Sequence, residues 1–247
     1  MPIRRYGQVV LTIRLKQLQR EVIDLFFPRS CVGCGKAGDF ICVRCSKKLS
    51  RLLPPICQRC GRPESSGMFC RECWGTHNKI HAIRSVFVFE GIIRQAIHEF
   101  KYRNLRSIAA CLSQYMADYF VEHELAADVL LPVPMHENRL KRRGYNQSEL
   151  LAGQISAMTS VPVRGDLIRR VRDNKPQVRT TCVEERWSNM RDAFDCTSSE
   201  VSGKDIIIID DVCTSGATLE ACAAALKLKG ANKISGFTLA REIYQRS

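Results

Sequence analysis

From about residue 82 to the end, short apolar runs alternate with amphipathic stretches along the chain. Four runs are almost continuously apolar, as strands buried on both faces are: "AIRSVFVFE", "DVLLPVP", "DIIIID" and "NKISGFTLA". Four stretches carry apolar residues at helical spacing: "IRQAIHEFKYR", "SIAACLSQYMADYF", "NQSELLAGQISAMT" and "TLEACAAALKLKG", the last ending at Gly230. Strands that alternate with helices predict an α/β domain over residues 82–247, with a mainly parallel sheet flanked by helices.

The beginning of the chain has a helical pattern of its own. Apolar residues recur at helical spacing within "RLKQLQREVIDLFFP": Leu15, Leu18, Val22 and Leu25. Pro28 ends this pattern, so we predict an amphipathic helix within residues 1–27, packed on the rest of the protein. The apolar stretch before it is interrupted by Arg14 and Lys16. We therefore expect no secretory signal and no membrane span, and a cytoplasmic location.

Cysteines dominate the segment between this helix and the α/β domain. Eight of the thirteen form four C-x-x-C pairs: Cys31/Cys34, Cys42/Cys45, Cys57/Cys60 and Cys70/Cys73. Four thiolates make a closed tetrahedral zinc site, so eight predict two structural zinc ions in a double zinc ribbon over residues 28–76. Sites formed in chain order close shorter loops than crossed sites do. A disulfide framework is the alternative, although no export signal accompanies it.

Two acids follow the apolar run Ile206–Ile209, where a parallel strand would present ligand-binding groups. After Asp210 and Asp211 comes a run that offers hydroxyls and backbone N–H groups at a helix N-terminus: Thr214, Ser215, Gly216, Ala217 and Thr218. This pattern predicts a sugar-phosphate site, with the acids on ring hydroxyls or Mg²⁺ and the amides on the phosphate. Simple helix capping explains one acid, but not two acids followed by T-S-G-A-T.

Positive charge is in excess, with 38 Lys and Arg against 25 Asp and Glu and a formal net charge of +13. This balance favours phosphate-bearing partners. The run "HENRLKRRG" follows a predicted strand end and makes Arg139, Arg142 and Arg143 candidates for binding pyrophosphate. Lys101, alone at a helix end, is a weaker candidate. The alternative for the basic run is a solvated surface face.

Several segments resemble known proteins. "IIIIDDVCTSGAT" is similar to the phosphoribosyl pyrophosphate (PRPP) loop of type I phosphoribosyltransferases. "LPVPMHENRLKRRGYNQSELLA", "FKYR" and "ERWSNMRDAF", together with the double zinc ribbon, resemble the ComF/GntX-like family over nearly the whole chain. One departure lies near residues 172–182, where Lys175-Pro176-Gln177 and Cys182 replace a Thr-Gln pair and a Leu-containing linker. In the family this segment is the flexible loop over PRPP.

The resemblance implies a type I phosphoribosyltransferase-like fold that binds PRPP with Mg²⁺, with Asp210 and Asp211 as the catalytic acids. It also implies a link to natural competence, DNA uptake or the use of nucleic acid as a nutrient, with competence proteins as partners. No segment specifies the acceptor. Two alternatives keep the same fold without catalysis: a protein that binds single-stranded DNA, and a PRPP sensor.

Overall fold

The computed structural model describes residues 29–76, 78–103, 105–172 and 193–243. The helix predicted within residues 1–27 lies outside them, as does most of the predicted flexible loop. The chain divides into two compact units, Met1–Lys48 and Leu49–Ser247. None of the helices in the described ranges has the length and apolarity that a membrane crossing needs.

The described part of the first unit is a small cysteine-rich ribbon. Its opening turn is closed by hydrogen bonds from Cys31 N to Lys36 O (2.8 Å) and from Gly35 N to Cys31 O (2.7 Å). One short helix, α1 (Val43–Ser46), follows and carries the buried Cys45. Apart from its cysteines, few residues of this ribbon are buried, so local turns and bound metal must hold it together.

The second unit contains the remaining helices and strands. Its strands are β1 (Ala82–Val88), β2 (Val129–Pro132), β3 (Ile168–Arg170), β4 (Phe194–Cys196), β5 (Ile206–Cys213) and β6 (Ile234–Arg241). Its helices are α2 (Gly91–Tyr102), α3 (Ile108–Glu122), α4 (Glu137–Arg143), α5 (Gln147–Thr159) and α6 (Ala217–Lys227). A short 3-10 turn covers Ser199–Val201.

Four strands form one parallel sheet in the order β1-β6-β5-β2. The central strand β5 pairs with β6 from Ile206↔Ile234 to Cys213↔Arg241 and with β2 from Val129↔Ile206. Its four isoleucines are buried. Because all four strands run in the same direction, their carboxyl ends meet at one edge. The predicted parallel sheet flanked by helices is confirmed.

Element boundaries differ from the predicted ones in three places. Strand β5 runs on to Cys213, because β6 extends far enough to pair with Val212 and Cys213, so both aspartates lie within the strand. Strand β1 ends at Val88, and α6 ends at Lys227, before Gly230. Two features were not predicted. The basic run forms helix α4, which buries no side chain and therefore lacks the regularly spaced apolar residues by which a helix is predicted. In addition, β3 and β4 form a small antiparallel pair.

The second cysteine ribbon, which contains Cys57, Cys60, Cys70 and Cys73, lies with the residues just before it along the edge strand β1. Val88 N donates to Ser50 O (2.8 Å), Leu52 N donates to Val86 O (3.0 Å), and Ile83 N donates to Arg59 O (2.6 Å). These bonds satisfy the backbone groups that an edge strand otherwise leaves unpaired. The second ribbon therefore belongs to the same compact unit as the sheet, while the first ribbon falls in the other unit.

Candidate functional site

The eight paired cysteines gather into two groups of four. Within each group the Sγ atoms lie within 4.8 Å of one another, and the groups are Cys31, Cys34, Cys42 and Cys45, and Cys57, Cys60, Cys70 and Cys73. The Sγ atoms of Cys34 and Cys42 are 3.7 Å apart, and those of Cys60 and Cys70 are 3.6 Å apart. Tetrahedral zinc with Zn–S bonds of about 2.3 Å places sulfurs about 3.8 Å apart, so both groups fit this ion. Two four-cysteine zinc sites, paired in chain order, are confirmed.

Backbone amides support negative charge on these sulfurs. Cys42 N donates to Cys31 Sγ (3.4 Å), and Cys70 N donates to Cys57 Sγ (3.3 Å). Burial opposes ionisation of Cys31, but hydrogen bonds from nearby amides outweigh it and lower the pKa of this thiol to about 6. Burial and neighbouring thiols raise the pKa of Cys45 to about 12. Four thiols therefore cannot ionise together unless a metal ion takes the place of their protons.

The acid pair lies at the carboxyl end of β5. Asp210 is half-buried, and one of its carboxylate oxygens accepts hydrogen bonds from Ser148 Oγ (2.9 Å) and Asp211 N (2.9 Å). Burial, and then the charge of Asp211, raise the pKa of Asp210 to about 7, against the opposing effect of Lys101 and these hydrogen bonds. Asp210 is therefore a carboxyl group that binding of a cation would readily ionise.

Lys101 is an integral part of this site. Its Nζ lies 2.7 Å from Asp211 Oδ1, and the Asp211 side chain is only 7% exposed. Burial alone would lower the pKa of Lys101, but the Asp211 carboxylate outweighs this effect and raises it. Lys101 lies at a helix end, as predicted, and this end of α2 lies directly against the acid pair.

A buried polar segment, Tyr145–Ser148, positions these groups. Tyr145 Oη and Gln147 Nε2 both donate to Phe100 O in the last turn of α2. Asn146 Nδ2 donates to Val133 O (3.0 Å), while its Oδ1 accepts from Ser148 N (3.1 Å) and caps α5. The segment thus joins the helix end that carries Lys101 to the helix start that carries Ser148. Sequence reasoning assigned no role to these residues, although four polar residues at a helix start were a usable signal.

The loop after β5 turns into α6 through a left-handed glycine. Gly216 begins α6 with φ of 89°, a left-handed value that favours glycine. A Cβ added there would lie 3.3 Å from Ile83 Cδ1. No side chain caps the helix at Gly216, although Ser215 Oγ accepts from Ala217 N (3.3 Å). Thr214 and Thr218 are half-buried on either side. The N-terminus of an eleven-residue helix therefore follows directly on the acid pair.

The predicted pyrophosphate arginines lie on helix α4. Arg143 Nη1 donates to Gln147 Oε1 (2.7 Å), and its guanidinium carbon lies 5.4 Å from the centre of the Tyr102 ring. Because Tyr102 follows Lys101, the end of α4 and the end of α2 meet. Arg142 is exposed, and Arg139 is half-buried earlier on the helix. Of these three arginines, Arg143 is the one with described contacts near the acid pair, to Gln147 and to Tyr102.

Two domain families match this chain. The double zinc ribbon domain matches residues 22–74, and the phosphoribosyl transferase domain matches residues 142–246. The second match includes the acid pair, the loop at Gly216 and the buried polar segment. The fold and site therefore define a double-zinc-ribbon protein with a phosphoribosyltransferase-type domain.

Whole-chain relatives agree with this class. Competence protein ComFC of Bacillus subtilis (strain 168) is 32% identical over 214 residues, which cover 83% of this chain and 86% of that protein. Competence protein F of Haemophilus influenzae is 27% identical over 228 residues, or 87% and 98% of the two chains. DNA utilization protein YhgH of Escherichia coli (strain K12) is 27% identical over 209 residues, or 82% and 91%. The chain belongs to the ComF/GntX-like family.

Proposed function

We propose that this protein binds PRPP together with Mg²⁺ at the carboxyl end of β5. The observation that carries the proposal is the adjacency of Asp210 and Asp211 to the N-terminus of α6, where the N-cap residue is Gly216. Carboxylates accept hydrogen bonds from ribose hydroxyls, and N-terminal helix amides bind phosphate. The match of residues 142–246 to a phosphoribosyl transferase domain supports the same ligand.

Each group in the site has a chemical role in this proposal. Asp210 and Asp211 hold the ribose hydroxyls or Mg²⁺, and residues 214–218 hold the 5′-phosphate. Lys101 neutralises Asp211 at a distance of 2.7 Å before the ligand arrives. The arginines of α4 (Arg139, Arg142 and Arg143) stabilise the leaving pyrophosphate. Bound Mg²⁺ would supply positive charge to the same leaving group.

Transfer requires the C1–pyrophosphate bond of the ribose to break while an acceptor takes the sugar. Charge on the departing pyrophosphate is the feature that a preorganised cationic site stabilises best. We propose that the protein is a phosphoribosyltransferase with an acceptor still to be identified. A PRPP sensor on the same fold would bind PRPP without releasing pyrophosphate.

A second candidate function is binding of single-stranded DNA. The Tyr102 side chain is among the exposed large hydrophobic ones, at 67%, and it lies against Arg143 beside the basic helix α4. Aromatic rings within a basic surface are typical of proteins on which single-stranded bases stack. The names of the relatives, which refer to competence and DNA utilization, also support a role in DNA uptake alongside competence proteins. We place this role in the cytoplasm, where zinc-binding thiols stay reduced.

Titration calorimetry with PRPP, in the presence of Mg²⁺ and then of EDTA, tests the proposal. We expect saturable binding that EDTA weakens, and release of pyrophosphate when a competent acceptor is added. Binding without release under every acceptor would favour the sensor. Failure to bind PRPP, combined with affinity for single-stranded DNA that falls steeply with salt, would favour the DNA-binding alternative.

A further inference from the structure

A cavity of about 570 Å³ lies between the second ribbon and the beginning of α6. Ile80 and Ile83 form an apolar part of its lining, and Ser215 and Gly216, which belong to the proposed phosphate loop, form another part. Its volume falls in the range of small-molecule sites, which combine an apolar lining with a few polar groups. Asp210 and Asp211 do not line it. The cavity is therefore a neighbour of the proposed PRPP site that shares Ser215 and Gly216 with it.

Two arginines in the lining of this cavity carry buried side-chain nitrogens that have no hydrogen-bond partner among the described residues. Arg241, at the end of β6, is 0% exposed. Its Nη1 donates to Cys213 Sγ (2.9 Å), but Nε and Nη2 have no hydrogen-bond partner in the described part of the chain. Arg62 Nε is likewise buried without one. Buried polar groups in proteins are nearly always hydrogen-bonded, and a buried charge without a partner is costly, so these donors indicate a missing partner.

The two glutamates that line the cavity, Glu72 and Glu220, and its third arginine, Arg59, already have partners within the protein. Glu220 accepts from the backbone N–H groups of Lys79 and Ile80. Glu72 Oε1 lies 4.0 Å from Arg62 Nη1. Arg59 Nη1 donates to the carbonyl groups of Cys73 (2.9 Å) and Thr76 (2.7 Å). Among the residues that the structure describes, Arg241 therefore has no carboxylate partner.

We propose that this cavity binds a small molecule that carries an oxyanion on an apolar body. The oxyanion, a carboxylate or a phosphate, accepts from Nε and Nη2 of Arg241, whose planar fork matches both groups. The apolar body packs on Ile80 and Ile83. Because Ser215 and Gly216 line the same cavity, its ligand also contacts the loop that follows β5. This site shares Ser215 and Gly216 with the proposed PRPP site, but the group that binds its oxyanion, Arg241, is separate from the two aspartates.

Two chemical probes and three variants of the full-length, zinc-loaded protein test this site. Para-bromobenzoate represents a carboxylate on an apolar body, and inorganic phosphate represents the compact anion. Each is titrated by calorimetry, and bromobenzoate is also located in crystals by the anomalous signal of bromine. Arg241→Met removes the charge at similar length. Asn78→Trp fills the cavity from a half-buried lining position, and Lys79→Trp is its matched control at an exposed neighbour outside the lining.

We expect bromobenzoate in the cavity with its carboxylate on Arg241, and tighter binding of bromobenzoate than of phosphate. Arg241→Met should weaken binding about ten- to hundredfold, the loss expected for a charge-assisted hydrogen bond. Asn78→Trp should abolish binding and Lys79→Trp should retain it, which decides the matter even if Arg241→Met does not fold. Binding of neither probe, binding elsewhere, or equal binding by the two tryptophan variants would overturn the proposal. Failure of PRPP to bind would leave it intact.

Discussion

Asp210 and Asp211 are neighbours in the chain with different surroundings. Asp211 is buried and has a cation, Lys101, at 2.7 Å. Asp210 receives two neutral hydrogen bonds, from Ser148 and from the backbone of Asp211. The pKa of Asp210 is consequently raised to about 7, with burial as the main cause. One acid of the pair is thus already neutralised by an ion pair, while the other retains a proton that binding of Mg²⁺ would displace.

The raised pKa of Asp210 predicts a pH-dependent loss of stability. The usual aspartate pKa of 3.8 becomes about 7 in the folded protein, so the folded state keeps a proton that the unfolded chain has lost. The contribution of this group to stability therefore falls as pH rises from about 4 to about 7, and is constant above that. Asp210→Asn keeps both acceptor interactions but cannot ionise. Its free energy of unfolding relative to wild type should rise by roughly 2 kcal/mol between about pH 5 and about pH 8.

Denaturant unfolding at both pH values measures this difference. Asp118→Asn, which changes an exposed carboxylate on α3, serves as the control and should show a much smaller change. A stability difference between Asp210→Asn and wild type that is the same at both pH values would show that Asp210 titrates normally.

Among the elements, the parallel sheet could be predicted because its strands are buried on both faces. Such strands appear in the sequence as apolar runs, which here alternate with stretches that have helical spacing of apolar residues. Periodicity missed α4, whose side chains are all at least partly exposed, and it missed the short β3–β4 pair. In the site, the acid pair and the loop at Gly216 were readable as a local motif. The contacts of Lys101 with Asp211 and of Ser148 with Asp210 were not, because the two residues of each pair are 110 and 62 positions apart in the chain.

The second ribbon gives a prediction at this scale, because it both binds metal and covers β1. Metal analysis of the wild-type protein should find two zinc ions per chain. Cys70→Ser should reduce this number to one and lower the melting temperature of the unit that contains the sheet, because Arg59 and the preceding residues lose the metal that orders them. Cys111→Ser changes a cysteine outside both groups and should retain both ions. A Cys70→Ser protein with two zinc ions would contradict the assignment of ligands.

On the scale of the whole molecule, one edge of the sheet collects groups from distant parts of the chain. Lys101 comes from α2, Arg143 from α4, Ser148 from α5 and the two acids from β5. The second ribbon closes the open side of the same sheet along β1. This arrangement explains how a cysteine-rich segment and a phosphoribosyltransferase-type domain contribute to one stable unit.

Binding of PRPP at the acid pair is tested by its dissociation constant in the presence of Mg²⁺. This constant is measured for wild type and for the Asp210→Asn, Asp211→Asn double variant. Asparagine preserves size and removes both charges, so binding should weaken by roughly 2–4 kcal/mol, or about 30- to 1000-fold. The control variant, Asp39→Asn with Asp118→Asn, makes the same change in net charge at two exposed positions and should bind PRPP as wild type does. Equal affinity of the wild type and a folded acid-pair variant would contradict the account.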